Sequence, residues 1–471
     1  MAEGEARTPP REPAHGAGFA DVPAFVRGLA FADLPADVVA QAQRCLRDLI
    51  GVGAAGSTTG LARITSAYAA TQLCARGEDA RILFDGRRAS IAGAAFAGAA
   101  MLDAFDAHDG HPLTKGHAGV AILPALLALI DAGFAPGMEG RELLTSLVIG
   151  YEIATRAGIA QHASVADYHC SGSWNALGCA AVASRLVGFD MERTRHALGV
   201  AEYFGPRGQM LRVTDHPTML KDGSAWGAHA GVTAAMLARD GFTGAPSIVI
   251  EGDQVRGWWS DLGVRWRIRE QYFKAYPVCR WAQPAVEAAL ALQREHGFTA
   301  DAIARIDIET FREAVTLGAS CARPRNTEEA QYSITFPVAA ALVFGTLGAS
   351  EVDGPALDDP RALRLLSLIS LVEDTDFARR FPAERVARMR IVLRDGRTLV
   401  SAPATARGNP ENPLAEDELS AKYRALADPV LGPDRARRVE ALVAALPHDS
   451  KASARLVDDL LAATRNTPQS K

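Results

Sequence analysis

Apolar residues recur at helical spacing through the first half of the chain. Val39, Ala42, Leu46 and Leu49 share one face, which predicts an amphipathic helix near 38–50. The same period predicts further helices over 61–75, 88–104, 120–132, 140–157, 173–187, 190–202 and 224–240. Several of these stretches are apolar on every side, so we expect them to lie inside a domain. Residues 19–264 are therefore predicted to form an all-helical domain.

The pattern changes near residue 265. Apolar and polar residues alternate with period two over 264–269, 304–311 and 388–400, which predicts half-exposed strands. Asp395-Gly396, inside the last of these runs, is a strong signal for a two-residue hairpin turn. Helical spacing separates the strands, near 281–296, 328–347 and 360–370. Residues 265–402 are therefore predicted to form a smaller α+β domain.

The two ends of the chain complete the predicted architecture. The tail returns to helical spacing, and residues 403–471 are assigned to the all-helical domain. Residues 1–18 are rich in proline, glycine and charge, and they are predicted to be a disordered leader. The predicted fold class is mainly α, with a large all-helical domain and a smaller α+β domain.

Composition and charge narrow the classes of function. The net charge of -5 over 471 residues argues against a nucleic-acid or membrane-surface partner. No signal peptide is visible, and the uncharged apolar runs fall short of the ~18 residues that a membrane span needs. The six cysteines show no CxxC spacing and are expected to be reduced thiols. We expect a cytoplasmic protein, and no phosphate-binding loop, dinucleotide fingerprint, serine-hydrolase elbow or zinc spacing indicates another chemistry.

The densest polar segment of the chain lies between two apolar helices. It contains Asp103, Asp106, His108, Asp109, His111, Lys115 and His117. Such a segment is costly inside an apolar bundle unless its groups are paired or used, and a carboxylate can tune and orient a neighbouring imidazole. The leading interpretation is therefore acid–base chemistry. A solvated surface loop and a metal site are the alternatives, although the spacing matches no closed metal motif.

Lysine is scarce, which makes each lysine in an apolar stretch a candidate for chemistry. Only six of the 50 cationic residues are lysines, at positions 115, 221, 274, 422, 451 and 471. Lys221 precedes a glycine turn at the start of a helix, and Lys274 and Arg280 lie among aromatic residues and prolines. A half-buried lysine can bind a carboxylate or have its pKa lowered for proton transfer. The alternative for each is a side chain that extends from the edge of the core to solvent.

A third polar segment, 166–178, opens a helix rich in small residues. Ser171 or Ser173 is placed to cap that helix, whose free backbone N–H groups favour an anion. His169 lies just before this turn. A single histidine near a helix start is more often structural, so the segment alone leaves both roles open.

Taken in order, these segments resemble the MmgE/PrpD family, which includes 2-methylcitrate dehydratases, cis-aconitate decarboxylases and iminodisuccinate epimerases. The resemblance covers about 20–465. Its landmarks are Asp48-Leu-Ile-Gly-Val-Gly-Ala-Ala-Gly, the Asp106 to His117 loop followed by Ile122-Leu-Pro-Ala-Leu-Leu-Ala, Gly150-Tyr-Glu-Ile, His169 with its Gly/Ala helix, Gly241-Phe-Thr-Gly, Lys274-Ala-Tyr-Pro-Val-Cys, Asn326-Thr-Glu-Glu-Ala-Gln-Tyr-Ser and Asn409-Pro-Glu-Asn-Pro-Leu.

The resemblance implies a homodimer whose active site lies between the helical domain and the α+β domain, which acts as a lid. It also implies cofactor-free chemistry on a small di- or tricarboxylate, and we expect no metal. By position it assigns catalytic roles to Asp106, His117, His169 and Lys274. We add four substrate-binding candidates, Lys221, Arg280, His111 and Ser171.

The expected reaction starts with proton abstraction next to a carboxylate and ends with loss of water or CO₂. Epimerisation by the same base and a non-catalytic scaffold are the alternatives. Gly98, Asp103 and His108 stand where the family loop usually has Asn, His and Asp. The chain is therefore interpreted as a divergent branch of the family.

Overall fold

The computed structural model describes residues 19, 21–320, 323–381 and 383–464. The predicted leader, 1–18, lies outside the described residues. Helices dominate the first part of the chain, as the apolar spacing predicts. They are α1 Val22–Gly28, α2 Ala36–Gly56, α3 Gly60–Gln72, α4 Ile91–Asp103, α5 Gly119–Asp131, α6 Gly140–Ser164, α7 Gly172–Val187, α8 Met191–Phe204, α9 Leu211–Asp215, α10 Ser224–Arg239 and α11 Ile248–Glu251. A short antiparallel pair, β1 Asp79–Arg81 and β2 Arg88–Ser90, precedes α4.

Small residues let the central helices approach closely. On α7, a Cβ added at Gly178 would lie 2.9 Å from the main-chain oxygen of Gly150 on α6. Any larger residue would force the two helices apart, which explains why the sequence keeps glycine here. The face predicted for α2 is also found, with Ala42, Leu46 and Leu49 buried and Val39 half-buried.

Helix α6 is long and apolar enough to cross a membrane by length and composition. Its most apolar 18-residue window is completely buried inside the molecule. The helix therefore forms the centre of the helical body in this structure. The predicted cytoplasmic location stays a prediction.

The second part of the chain combines helices with a mixed sheet. Its elements are α12 Gln283–His296, β3 Ile303–Thr310, α13 Arg312–Ser320, α14 Thr327–Gln331, α15 Thr335–Phe344, α16 Pro360–Leu366, β4 Ile369–Glu373, α17 Thr375–Arg380, β5 Val386–Leu393, β6 Thr398–Val400 and β7 Ala404–Thr405. The strand order is β4-β3-β5-β6, with β7 also paired to β5. Strand β4 is parallel to β3, and the other pairs are antiparallel. The predicted fold class, mainly α with a smaller α+β part, is confirmed.

Several local predictions need correction. The predicted strand at 264–269 is wrong, because the chain there turns into a short 3₁₀ helix, Arg267–Glu270. Arg267 is only 3% exposed and is paired with Glu270, so the alternation does not separate a buried face from a solvent face. The helix predicted over 328–347 is broken between α14 and α15, and strand β4 follows α16 where one continuous helix was expected. The Asp395-Gly396 hairpin is confirmed as the turn between β5 and β6.

The tail packs back on the helical body. It consists of α18 Glu416–Leu431, α19 Pro433–Ala445 and α20 Ala452–Leu461. Lys422 on α18 donates to Asp48 on α2, at 2.6 Å, and to the main-chain oxygen of Ala107, at 2.7 Å. Through these contacts the tail stabilises the polar segment that comes directly after α4. The exact domain boundaries at 265 and 402 stay predictions.

Candidate active site

A cavity of about 300 Å³ lies where the loop after α4 meets the segment before α12. Asp106 and His117 line it from the loop, and Tyr272 and Lys274 line it from the opposite segment. The polar segment is therefore a buried wall, and the alternative of a solvated surface loop is wrong. The cavity gives the chemistry-bearing residues a shared space that excludes much of the bulk solvent.

Close backbone approach holds the two walls together. Gly110 and Tyr272 exchange main-chain hydrogen bonds of 3.0 and 2.7 Å, like paired residues of two strands. A Cβ on Gly110 would lie 2.6 Å from the Tyr272 hydroxyl and 2.8 Å from Nδ1 of His117. Only glycine allows the loop to reach this position.

Asp106 and Lys274 form a buried ion pair at the centre of the cavity wall. The Lys274 ammonium donates to Oδ1 of Asp106, and the two side chains are 2% and 8% exposed. Burial favours the neutral acid, but Lys274 and the imidazoles of His117 and His108 hold the pKa of Asp106 well below its ordinary range. Burial also opposes the charge on Lys274, but Asp106 raises the pKa of that ammonium. Both groups are therefore charged at neutral pH.

The hydrogen bonding of His117 fixes its tautomer. Its Nδ1 lies 2.6 Å from the main-chain oxygen of Asp109, which can only accept, so Nδ1 carries the proton. Nε2 then has a free lone pair and lies 3.8 Å from Oδ1 of Asp106. Burial, followed by the nearby His108 and Lys274, lowers the pKa of His117 well below its ordinary value. The ring is therefore neutral at pH 7, as a general base must be before it takes a proton.

A second lysine, Lys221, is linked to Asp106 by hydrogen bonds to the side chain of Gln331. Oε1 of Gln331 accepts from Nζ of Lys221 at 2.6 Å and from the main-chain N–H of Asp106 at 2.8 Å. Lys221 is 2% exposed, and burial lowers the pKa of its ammonium although Asp106 and Asp103 oppose the shift. Its φ of 49° is in the left-handed region, which lysine rarely adopts. Strain of this kind persists where the surrounding structure requires it.

Ser171 lies behind the cavity wall and forms hydrogen bonds with two residues of the wall. Its Oγ donates to Asp222 and accepts the main-chain N–H of His117 at 2.9 Å. Ser171 does not line the cavity, whereas Asp222 does. Burial, followed by the nearby Asp103, raises the pKa of Asp222 to about 8. The structure thus places Ser171 as a support for His117 and Asp222, apart from the space where a substrate would bind.

His111 and Arg280 line the cavity, but their polar atoms are engaged by the protein. Nε2 of His111 lies 2.9 Å from Glu270, and its Nδ1 accepts from the N–H of Leu113 at 3.2 Å. Nη2 of Arg280 donates to the side chain of Asn409, and its guanidinium stacks 4.4 Å from the ring centre of Tyr272. Both residues therefore shape the wall, and their predicted contacts with substrate stay predictions.

His169 is the predicted catalytic residue that the structure does not bring to the cavity wall. It pairs through its backbone with Gln209 and is 8% exposed, and its Nδ1 has no hydrogen-bond partner in the described part of the chain. Its neighbour Tyr168 lines the cavity instead. The catalytic role of His169 stays a prediction.

Sequence reasoning did not single out Gln331, Tyr332 or Arg385, which the structure places at or beside the cavity. The ring of Tyr332 lies 5.5 Å from Nζ of Lys221, and Tyr332 and Arg385 both line the wall. Gln331 and Tyr332 belong to the Asn326 to Ser333 landmark of the family resemblance, which is the signal in the sequence that points to both residues.

Three side chains in the wall form a donor set suited to a divalent cation. Ligand atoms of Asp106, His108 and His117 lie within 4.8 Å of one another. The ammonium of Lys274 already occupies the Asp106 carboxylate, and Lys221 is close by, so a cation would compete with two positive charges. The predicted absence of a metal stays a prediction, and a chelator experiment tests it.

Comparison with known proteins shows that the sequence of this chain matches the models of one protein family. The model of the MmgE/PrpD N-terminal domain matches residues 20–262, and that of the MmgE/PrpD C-terminal domain matches 276–448. A cis-aconitate decarboxylase-like protein of Aspergillus oryzae is 25% identical over 90% of this chain and 93% of its own length. The cis-aconitate decarboxylase of Mus musculus is 25% identical over 89% of this chain and 88% of its own length.

A second activity occurs among the relatives. The mitochondrial 2-methylcitrate dehydratase of Yarrowia lipolytica is 28% identical over 47% of this chain and 46% of its own length. Lys274 lies in the short stretch between the two matched domains, where the walls of the cavity meet. Since the two family models together cover most of the sequence, the chain belongs to the MmgE/PrpD family.

Proposed function

We propose that the protein is a cofactor-independent lyase that acts on a small di- or tricarboxylic acid. The reaction would move a proton at the carbon next to a carboxylate and release water or CO₂. One observation carries the proposal: the neutral His117 and the Asp106–Lys274 pair face the same cavity. The decarboxylase and dehydratase relatives support the class of reaction.

His117 is the proposed base. Its Nε2 is free to accept a proton, and the main-chain oxygen of Asp109 holds the ring in that tautomer. A general base must lie within about 2.6–3.2 Å of the proton donor in the bound complex. Substrate bound beside Lys274 would occupy the space that Nε2 faces. Asp106, 3.8 Å from Nε2, is placed to stabilise the imidazolium after proton transfer.

Lys274 and Lys221 are the proposed electrostatic partners of the substrate. Removing a proton next to a carboxylate builds negative charge on that carboxylate, and fixed positive charge stabilises it. Both ammonium groups are almost completely buried, so their interaction with this charge is weakly screened by solvent. The chemistry therefore needs no cofactor as an electron sink.

The α+β part is proposed to act as a lid over this chemistry. Arg280, Trp281, Phe381 and Arg385 line the cavity opposite the 106–117 loop. Movement of these residues would open and close the cavity, and closure would exclude water from the carbanion-like intermediate.

Deuterium incorporation tests the proposal directly. The purified protein would be incubated with cis-aconitate, 2-methylcitrate and iminodisuccinate in deuterated water and followed by NMR. We expect deuterium uptake next to a carboxylate together with release of CO₂ or water. Uptake without release would favour the epimerase alternative. Failure of every acid to exchange or react would contradict the proposed activity and favour a non-catalytic member of the family.

We also propose that the protein is a homodimer. Large apolar side chains are exposed together at the end of α8 and the start of α10, where Tyr203 is 80%, Phe204 62% and Trp226 51% exposed. Contiguous apolar patches of this kind mark protein interfaces, and a second copy of the chain is the proposed partner.

A further inference from the structure

Arg385 is a cation of the cavity wall that has no counterion within the described ranges. It lies in the loop between α17 and β5 and is half-buried. Its Nε is shielded from solvent, and no residue that the structure describes accepts a hydrogen bond from it. Neighbouring arginines are paired, Arg380 with Glu384 and Arg388 with Glu309. Arg385 therefore differs from these two arginines.

The carboxyl groups that share the cavity do not neutralise Arg385. Asp106 pairs with Lys274, and Asp222 is bound by the hydroxyl and main-chain N–H of Ser171. Glu313 lines the cavity too, but it forms no ion pair with Arg385. A partly desolvated guanidinium without an anion is unfavourable, and a bound carboxylate would satisfy it.

Arg280 lines the same cavity, but the protein already uses its donors. Nη1 of Arg280 donates to the main-chain oxygen of Arg407 at 3.0 Å, and Nη2 donates to Asn409. Burial lowers the pKa of Arg280 to about 10, and the positive charge of Arg385 contributes to that shift. Two guanidinium groups thus repel each other across one cavity, and an anion between them would relieve this repulsion.

The surroundings of Arg385 are aromatic. Its guanidinium lies 5.9 Å from the ring centre of Phe381, whose ring is 5.7 Å from that of Trp281. Tyr332 lines the cavity as well, beside Lys221. The cavity therefore has cationic groups near Asp106, the guanidinium of Arg385 near Phe381, and apolar surface suited to a short carbon skeleton.

We infer that Arg385 binds a second carboxylate of the substrate, the one remote from the reacting carbon. This inference rests on the proposed function, because the Lys274 side of the cavity would hold the carboxylate next to that carbon. The substrate would then carry at least two carboxylates joined by a short chain. Arg385 would select for the remote carboxylate and take no part in proton transfer.

Binding of unreactive acids tests Arg385 without depending on turnover. The probes are tricarballylate, which carries three carboxylates, and butyrate, which carries one, titrated by NMR into the full-length protein. Loss of a charge-assisted hydrogen bond should make Arg385→Gln bind tricarballylate about 10- to 100-fold more weakly. Butyrate binding should stay within about twofold, because one carboxylate suffices for the Lys274 side. Arg385→Lys should recover part of the loss.

Arg390→Gln is the matched control, since Arg390 is exposed on β5 and does not line the cavity. Circular dichroism would confirm that each variant is folded. Unchanged tricarballylate binding in Arg385→Gln, equal weakening of both probes, or no tricarballylate binding by the wild type would each overturn the inference.

Deuterium exchange separates this inference from the proposed function. If the wild type exchanges deuterium but Arg385→Gln binds tricarballylate normally, the function stands and the carboxylate site is refuted. If tricarballylate binding depends on Arg385 but no acid exchanges deuterium, the site stands and the proposed function fails.

Discussion

His117 donates its Nδ1 proton to the main-chain oxygen of Asp109 across 2.6 Å, which leaves Nε2 unprotonated at the cavity. The acceptor is a backbone atom, so a substitution of the Asp109 side chain leaves it in place. The orientation of the proposed base is thus set by the path of the chain and by the close approach at Gly110. Four of the five predictions below involve residues of this loop.

The first prediction concerns the base itself. His117→Gln should reduce turnover by about 10²- to 10⁴-fold, the range that one general base contributes, because the amide cannot accept the substrate proton. Steady-state kinetics and deuterium exchange would measure the loss. His448→Gln, at an exposed histidine of the tail, is the control. Near-normal exchange in His117→Gln would remove His117 from the mechanism.

The second prediction concerns the ion pair. Lys274→Met should abolish turnover and lower the free energy of unfolding by about 3 kcal/mol, because Asp106 would remain buried without its partner. The double variant Lys274→Met/Asp106→Asn should regain most of that stability but no activity. Chemical denaturation would measure the free energies, with exposed Lys451→Met as control. A double variant no more stable than Lys274→Met would show that the pair is not the source of the loss.

The third prediction concerns pH and stability. Burial, followed by the nearby Asp48, raises the pKa of Asp109 to about 8. The folded protein therefore keeps a proton that the unfolded chain releases above its ordinary pKa of about 3.9. The contribution of Asp109 to the free energy of unfolding therefore falls as pH rises from about 4 to 8. Asp109→Asn removes this contribution, so its stability relative to the wild type should increase over that interval.

Thermal and chemical unfolding at several pH values would measure the effect of Asp109→Asn. The free energy of unfolding of Asp109→Asn, minus that of the wild type, should increase with rising pH. Parallel pH profiles for the two proteins would mean that Asp109 has an ordinary pKa in the folded state.

The fourth prediction concerns metal. An excess of EDTA should leave turnover unchanged, since the Lys274 ammonium occupies the Asp106 carboxylate. Loss of activity with EDTA and recovery with a divalent ion would instead assign Asp106, His108 and His117 as metal ligands. His108→Ala would then be expected to lose both the metal, measured by elemental analysis, and the activity.

The fifth prediction concerns assembly. Trp226→Glu should convert the proposed dimer to a monomer, because a buried carboxylate at an apolar interface is costly. Sedimentation velocity would measure the change. Val400→Glu places the same charge on another exposed apolar residue, at the edge strand β6, and should leave the assembly intact. A wild-type protein that sediments as a monomer would refute the proposal.

Much of the candidate site could be predicted from the sequence because its residue types are rare, or rarely clustered, in the rest of this chain. Lys221 and Lys274 stood out among few lysines, and Asp106 and His117 lay in a dense polar segment between apolar helices. Their convergence could not be derived from spacing, because it depends on contacts between distant segments. Arg385 shows the limit most clearly: it is one of many arginines, and only the folded structure shows that no described residue forms an ion pair with it.

The fold could be predicted where pattern and burial agree. The alternation at 304–311 and 388–400 matches β3 and β5 because each strand buries alternate apolar residues on one face: Ile306 and Ile308 in β3, and Met389, Ile391 and Leu393 in β5. The alternation at 264–269 failed because Arg267 is buried as deeply as its apolar neighbours. His111 and Ser171 were predicted to bind substrate, and this stays a prediction. Their hydrogen bonds to Glu270 and Asp222 could not be derived from the sequence, because they join distant segments.

The contact of Lys422 with Asp48 and with the oxygen of Ala107 has a consequence for synthesis of the protein. A ribosome releases α2 and the 106–117 loop long before it translates residue 422. Until then the Asp48 carboxylate, which is only 2% exposed in the finished protein, lacks its cation. In a nascent chain the contacts that stabilise the 106–117 loop therefore form only near the end of translation. A truncated mRNA that ends before codon 422 would yield an inactive product.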